Sequence, residues 1–256
     1  MTLKALIFDV DGTLAETERD GHRIAFNQAF ADANLAWEWS GELYGELLKI
    51  AGGKERIFYY INQYQPEFNP AGNFTEFIAN LHQLKTKHYQ QLLTQDPIPL
   101  RPGVKRLINE ARSQNIRLAI ASTAALPNVI ALLENSLDPA AVSWFEVIAA
   151  GDIVTQKKPA PDIYLYVLEK MGLNAKNCLV IEDSEAGLKA ASQANLKTII
   201  TVNNYTKNQD FSQALLVLNH LGEPKKPFRA IAGNSENFSY LSITSIQQLF
   251  FSIAKS

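Results

Sequence analysis

Five short segments of this chain, KALIFDV, IRLAIAS, WFEVIAA, NCLVIED and LKTIITV, are almost continuously apolar and dense in Ile, Val, Leu and Ala. A strand with one wet face alternates apolar and polar residues. A run without alternation is a strand covered on both faces, as in a parallel sheet packed between helices. Between the runs lie segments of helical period. PGVKRLINEARSQN places Val104, Leu107, Ile108 and Ala111 on one stripe. PDIYLYVLEKMG does the same with Ile163, Tyr166, Val167 and Met171, ahead of Gly172, a residue suited to ending a helix. Strand alternating with helix requires right-handed crossovers, so the expected fold is α/β with a doubly wound parallel sheet.

The rhythm breaks between about Ala15 and Pro97. RIAFNQAFADANL, GELYGELLKIAG, ERIFYYINQY and FTEFIANLHQLKTKHYQQLL read as successive helices, with no β-rich run among them. The expected organisation is an α/β core over 1–15 and 98–256, with a small inserted all-helical domain over 16–97 and the proline-rich DPIPLRPG as the return hinge. In the tail, ALLVLNHLG reads as a sixth strand and SITSIQQLFFSIA as a closing amphipathic helix. The stretch from Gly222 to Phe238 reads as loop without an assigned role.

A net charge of -2 on 256 residues argues against a nucleic-acid binder, which carries a basic excess. Cys178 is the only cysteine, so no internal disulfide can form; inside NCLVIED it reads as a buried strand residue. No apolar run approaches the roughly 18 residues of a membrane span, and MTLKALIFDV lacks the pattern of a secretory signal. A cytoplasmic chain without membrane partners is expected, or one in an organelle stroma if a transit peptide has been removed.

In an open α/β sheet, ligands bind beyond the carboxyl ends of the strands. Here the first such end delivers Asp9 and Asp11, the second Ser122 and Thr123, and the fourth Glu182 and Asp183, with Lys158 shortly before it. Each has an ordinary alternative. Asp and Gly form turns, Ser122 could cap a helix, Lys158 could be solvated, and its neighbour Lys157 reads as a surface lysine. Asp162 reads as a residue of a first helical turn, where its charge suits the dipole. Yet three acids in one crevice repel one another unless a cation joins them, and oxygen donors of this kind suit Mg²⁺.

DVDGT (9–13), Ser122 after LAIA, Lys158 in KKPAPD and EDSEAG (182–187), taken in that order, resemble the four motifs of the haloacid dehalogenase (HAD) superfamily of aspartate-dependent phosphotransferases. The resemblance covers the whole α/β core and implies a Rossmann-like sheet with a small helical cap. It assigns Asp9 as the nucleophile that forms an aspartyl-phosphate, and Asp11 as the acid that protonates the leaving oxygen and then activates water. It assigns Mg²⁺ to the carboxylates of Asp9 and Asp183 and the backbone carbonyl of Asp11, with Glu182 orienting a metal-bound water. Ser122 and Lys158 would hold the transferring oxygens.

LAETE, AGGKERI (51–57), KTKHY (85–89) and KKPAPDIY further resemble the CbbY branch, near the β-phosphoglucomutases. That branch implies a phosphatase for a sugar bisphosphate, xylulose 1,5-bisphosphate by preference. The alternatives are a phosphomutase of β-phosphoglucomutase type and a non-catalytic sugar-phosphate-binding protein. Glu16, Gly52, Gly53, Lys54, Arg56 and Lys85, with Ser122 and Thr123, would bind the sugar phosphate. Arg56 would grip the far phosphate bidentately, and the lysines would act as point charges. The chain is expected to act as a monomer. Two departures stand out. ETERDGH has one residue more before His22 than the E-x-x-H of relatives, and STAAL has Ala124 and Ala125 where a third hydroxyl is common.

Overall fold

The computed structural model of the chain describes residues 2–235 and 238–253. Each of the five apolar runs contains a strand: β1 (Ala5–Phe8), β2 (Arg117–Ser122), β3 (Val147–Ala150), β4 (Cys178–Glu182) and β5 (Lys197–Thr201). They are parallel, and β6 (Leu216–Leu218), the strand expected in ALLVLNHLG, extends the parallel set. The spatial order among the described residues is β3-β2-β1-β4-β5-β6, with a further strand, β7 (Ala230–Ala232), at the edge beyond β6. Phe8 of β1 lies opposite Ile120 of β2 and Ile181 of β4, so the exits of these three strands share one rim.

Both faces of the sheet are covered, which explains the missing alternation. On one face Leu6, Ile120 and Ile181 pack with Leu107 and Ile108 of α5 (Val104–Ser113) and Ile246 of α9 (Ile243–Ile253). On the other, Ile7, Ala119 and Val180 meet Ile163 and Val167 of α7 (Asp162–Met171) and Ala190 of α8 (Glu185–Gln193). Cys178 is a buried strand residue of that face. Burying one aliphatic side chain of this size contributes about 1.5–3 kcal/mol. Gly172 ends α7 in the left-handed conformation, φ 61°, and Asp162 sits in its first turn.

On α7, Tyr166 packs partly buried against the sheet-facing cluster as its stripe implies, and Tyr164, fully buried in the same cluster, joins it with Lys158 Nζ 5.1 Å from its ring centroid. One reading of the sequence is corrected: the 222–238 segment contains a strand, β7 (Ala230–Ala232), antiparallel to β6. Its three residues are too few to carry a period; pairing with the open edge of β6 makes it a strand.

The insert is helical, with α1 (Arg23–Asp32), α2 (Gly41–Leu47), α3 (Gly53–Tyr64) and α4 (Phe74–Gln95). Ser40 and Asn73 cap α2 and α4 through their side-chain oxygens. The four helices enclose their own apolar cluster around Phe26, Phe30, Trp39, Tyr44 and Ile57. Its two linkers run side by side: Ala15 bridges Leu100, and the Arg101 amide donates to Leu14 O at 2.8 Å. The insert thus stands over the strand rim on a paired hinge.

Candidate active site

β1 ends by presenting Asp9, whose Oδ1 accepts from Lys158 Nζ at 2.8 Å and whose Oδ2 accepts from Thr13 at 3.0 Å. Lys158 is buried and donates also to Glu182 Oε1 (2.6 Å) and Ala121 O (2.9 Å), so it is no solvated lysine. Glu182 has little left to offer a metal. Its second oxygen accepts from the backbone amides of Asp183 and Ser184 at 2.8 and 3.0 Å. This packing requires a glycine at 187, since a Cβ there would lie 1.7 Å from Glu182 Oε1.

Carboxylate oxygens of Asp9, Glu182 and Asp183 lie within 4.8 Å of one another, all three buried. Burial pushes Asp9 up to about 8, helped by the charges of Glu182 and Asp11 and opposed by Lys158. Burial and the charges of Glu182 and Asp9 likewise push Asp183 well above the carboxylate range, against Arg101 and Asn203. For Glu182, burial is outweighed by Lys158 and the two amides, and its carboxyl is held below its ordinary value. Two acids driven toward neutrality in one crevice are short of positive charge, and their hard oxygen donors fit Mg²⁺.

Asp11 faces the other way, toward the insert. Its Oδ1 accepts from Thr17 Oγ1 at 2.6 Å and lies 2.8 Å from His22 Nε2. His22 Nδ1 lies 2.7 Å from Lys85 Nζ, and the ring stacks on Tyr89 at 4.1 Å between centroids. A lysine donating to Nδ1 leaves the imidazole proton on Nε2, pointing at Asp11. The extra residue of ETERDGH is absorbed by a π-helical turn over Glu18–His22, which brings His22 round to the acid despite the altered spacing. Burial would raise the Asp11 carboxyl, but His22 and Thr17 outweigh it and hold the group at about 2. Burial lowers Lys85 to about 8, against the opposing charges of Glu18 and Asp11.

The remaining expected residues divide. Ser122 is buried at the rim; its Oγ accepts from the Ala124 amide at 3.1 Å, and α6 (Leu126–Leu132) starts too late for Ser122 to cap it. Thr123, Gly52, Gly53, Arg56 and Lys85 line one crevice with Asp11 and His22. Arg56 is buried and already bound inside the insert, donating to Leu47 O (3.2 Å), Ile50 O (3.2 Å) and Tyr44 OH (3.1 Å). Three of its five N–H groups are therefore engaged. Lys54 is drawn off to the sheet side, 2.6 Å from Asp152. Lys157 is no free surface lysine: it bridges Glu55 of the insert (2.6 Å) to Asp152 (3.1 Å). Glu16 pairs with Arg101 at 3.0 Å.

Several residues of the site escaped the sequence reading. Thr13 and Thr17 flank the two acids, and Asn203 Nδ2 donates to Asp183 Oδ2 at 2.6 Å. Asn128 is buried beside Thr123, with an Oδ1 that has no partner. Thr13 closes the DVDGT motif and Thr17 follows in AET, so their hydroxyls were the available signal; Asn128 and Asn203 lie outside every motif quoted above.

A profile of the haloacid dehalogenase-like hydrolase family matches residues 3–195. Protein CbbY, plasmid, of Cupriavidus necator is 46% identical over 225 residues, 88% of either chain. CbbY from Rhodobacter sphaeroides, solved as a variant in complex with xylulose-(1,5)bisphosphate, superposes with a TM-score of 0.80 at 42% identity, covering 86% of this chain and 95% of that one. A β-phosphoglucomutase from Clostridium difficile, 23% identical with a TM-score of 0.73 over 100% of both chains, shares the fold. Among the described residues no helix is long and apolar enough to cross a membrane.

Proposed function

This chain belongs to the haloacid dehalogenase-like hydrolase family and is a sugar phosphatase, and on that premise we propose that it hydrolyses xylulose 1,5-bisphosphate with Mg²⁺ through an aspartyl-phosphate on Asp9. The observation that carries the reading is the division of labour between the two acids. Asp9 is gripped by Lys158 on the sheet side, and Asp11 by Thr17 and His22 on the insert side. They can therefore address opposite ends of one P–O bond. The 46% identity to a CbbY protein, and the sugar bisphosphate bound by the Rhodobacter sphaeroides relative, support this choice of substrate.

Asp9 and Asp183, with the Asp11 carbonyl, would hold Mg²⁺, which supplies the positive charge that lets a carboxylate approach an anionic phosphate. Asp9 attacks phosphorus, and Lys158 and the Ser122 hydroxyl hold the equatorial oxygens as charge develops on them. Lys158 is fixed for this by Glu182 and Ala121 O. Asp11 in its resting carboxylate form is ready to take a proton from water in the second half-reaction. In the first half, the anionic substrate beside it raises its proton affinity so that it can protonate the leaving oxygen. The insert acts as a cap whose Lys85, Arg56 and Gly52–Gly53 backbone meet the sugar end, and the amide of Asn128 meets a hydroxyl.

The test is a phosphate-release screen over sugar mono- and bisphosphates with Mg²⁺. Xylulose 1,5-bisphosphate is expected to give the highest kcat/KM, with activity abolished by chelation. A higher kcat/KM for a monophosphate, or isomer formation instead of free phosphate, would reject the reading.

A further inference from the structure

β7, which the sequence reading left as loop, forms one wall of a second pocket of about 540 Å³. The opposite wall is the segment after β5, with Asn204, Lys207 and Asn208; Arg229 and Ile231 come from the β7 side, and Arg101 lies at the base. The volume lies within the range of small-molecule sites. The pocket is separate from the cleft that holds Asp9 and Lys158, although Asn203 and Asn208 border both. Part of it also lies beyond residue 195, where the family match ends.

The charges of the pocket are unequal. Three cations, Arg101, Lys207 and Arg229, meet one carboxylate, Glu16. Arg101 is structural: it pairs with Glu16 at 3.0 Å and donates to Thr201 O, Val202 O and Asn219 O at 2.8, 2.6 and 2.9 Å. The Lys207 and Arg229 side chains, by contrast, have no hydrogen-bond or ion-pair partner among the described residues. The amides of Asn204 and Asn208 are equally uncommitted. A guanidinium and an ammonium facing one space suit a tetrahedral oxyanion, and the amides suit hydroxyls beside it.

We propose that this pocket is a second, non-catalytic site for the phosphate group of a small metabolite. Its position couples it to the reaction. Asn203, on the shared border, donates to Asp183 at 2.6 Å. The Glu16–Arg101 pair at its base ties together the two linkers that carry the helical insert. An occupant therefore bears on a metal-side carboxylate and on the hinge at once, and modulates turnover without entering the catalytic cleft.

The test uses the full chain with Mg²⁺ and two probes, inorganic phosphate and sn-glycerol 3-phosphate. In an Asp9→Asn background, which prevents turnover, each probe is titrated into ¹⁵N-labelled protein. The backbone amides of Asn204, Asn219 and Ala230, which border the pocket alone, report the pocket; those of Thr123 and Ala124 report the cleft. Two saturation curves with different midpoints are expected. A Lys207→Ala/Arg229→Ala double variant should weaken the pocket curve at least about tenfold and leave the cleft curve in place. Tighter binding of the glycerol ester than of inorganic phosphate at the pocket identifies a phosphorylated polyol as the ligand, and equal binding identifies free phosphate. In the chain with Asp9 intact, inorganic phosphate should inhibit p-nitrophenyl phosphate hydrolysis with a non-competitive component. The double variant should lose that component while its uninhibited kcat is unchanged. Pocket amides that do not shift, or that shift only with the cleft amides and identically in the double variant, would overturn the proposal.

Discussion

Replacing Arg56 by alanine tests what the guanidinium is for. As a pure phosphate gripper, Arg56 could be removed at a cost confined to bisphosphate substrates. The structure requires more of it. Arg56 closes the insert from inside by bonding Leu47 O, Ile50 O and Tyr44 OH, and it lies 3.9 Å from Glu18, which itself accepts from Tyr44 at 2.5 Å. Truncation leaves Glu18 without its neighbouring cation and Ile50 O without its donor, while Leu47 O keeps only the Ile50 amide at 3.0 Å. Removing one partner of such a buried charged cluster costs about 3–5 kcal/mol. That is a large share of the roughly 5–15 kcal/mol that holds a domain together. The insert supplies its own probe, because Trp37 and Trp39 lie in its core and Trp144 lies outside it. In a Trp144→Phe background, tryptophan fluorescence follows the insert alone. Arg56→Ala should lower its urea midpoint by about 2 M at the slopes usual for small domains. kcat/KM should fall for p-nitrophenyl phosphate as well as for a sugar bisphosphate, and Arg56→Lys should be intermediate in both. An unchanged midpoint with loss confined to the bisphosphate would refute the reasoning.

Lys85 releases its proton near 8 in the folded chain, against an ordinary value of 10.5. Below about pH 8 its charge fixes the His22 tautomer, so kcat should fall on the alkaline side with an apparent midpoint near 8, and Lys85→Arg should move that limb upward. Between pH 8 and 10.5 the unfolded chain binds the extra proton, so stability should gain about 3 kcal/mol over that window relative to Lys85→Met, as followed by denaturation at several pH values. Gly187→Ala puts a methyl into Glu182 and should displace it from Lys158, lowering both kcat and the thermal midpoint; an active, equally stable variant would contradict the packing. Asp152→Asn loosens the contact with Lys54 that ties insert to sheet and the anchor of Lys157, which reaches the insert through Glu55, and should raise KM several-fold with little change in kcat, an effect that high salt reproduces in the parent chain.

The sheet and the helical insert were legible in the residues themselves, because both are properties of local pattern. Short apolar runs without alternation, rich in β-branched residues, read as strands covered on both faces. The stripe of Val104, Leu107, Ile108 and Ala111 marks a helix before any partner is known. That Asp9, Asp11, Ser122, Lys158 and Asp183 gather at one rim was legible too, because parallel neighbouring strands bring their exits together. β7 was not, because three residues become a strand only where β6 leaves an unpaired edge. Nor was the contact of His22 with Asp11, since a π-helical turn, not residue spacing, decides which way its ring points. Arg56, Lys54, Lys157 and Glu16 mark the limit most plainly. A cation or acid in a sequence announces its charge and not its partner, and only the tertiary fold decided that these four would bind one another's neighbours before any substrate. Partner choice depends on distance and burial, which arise from packing residues far apart in the chain.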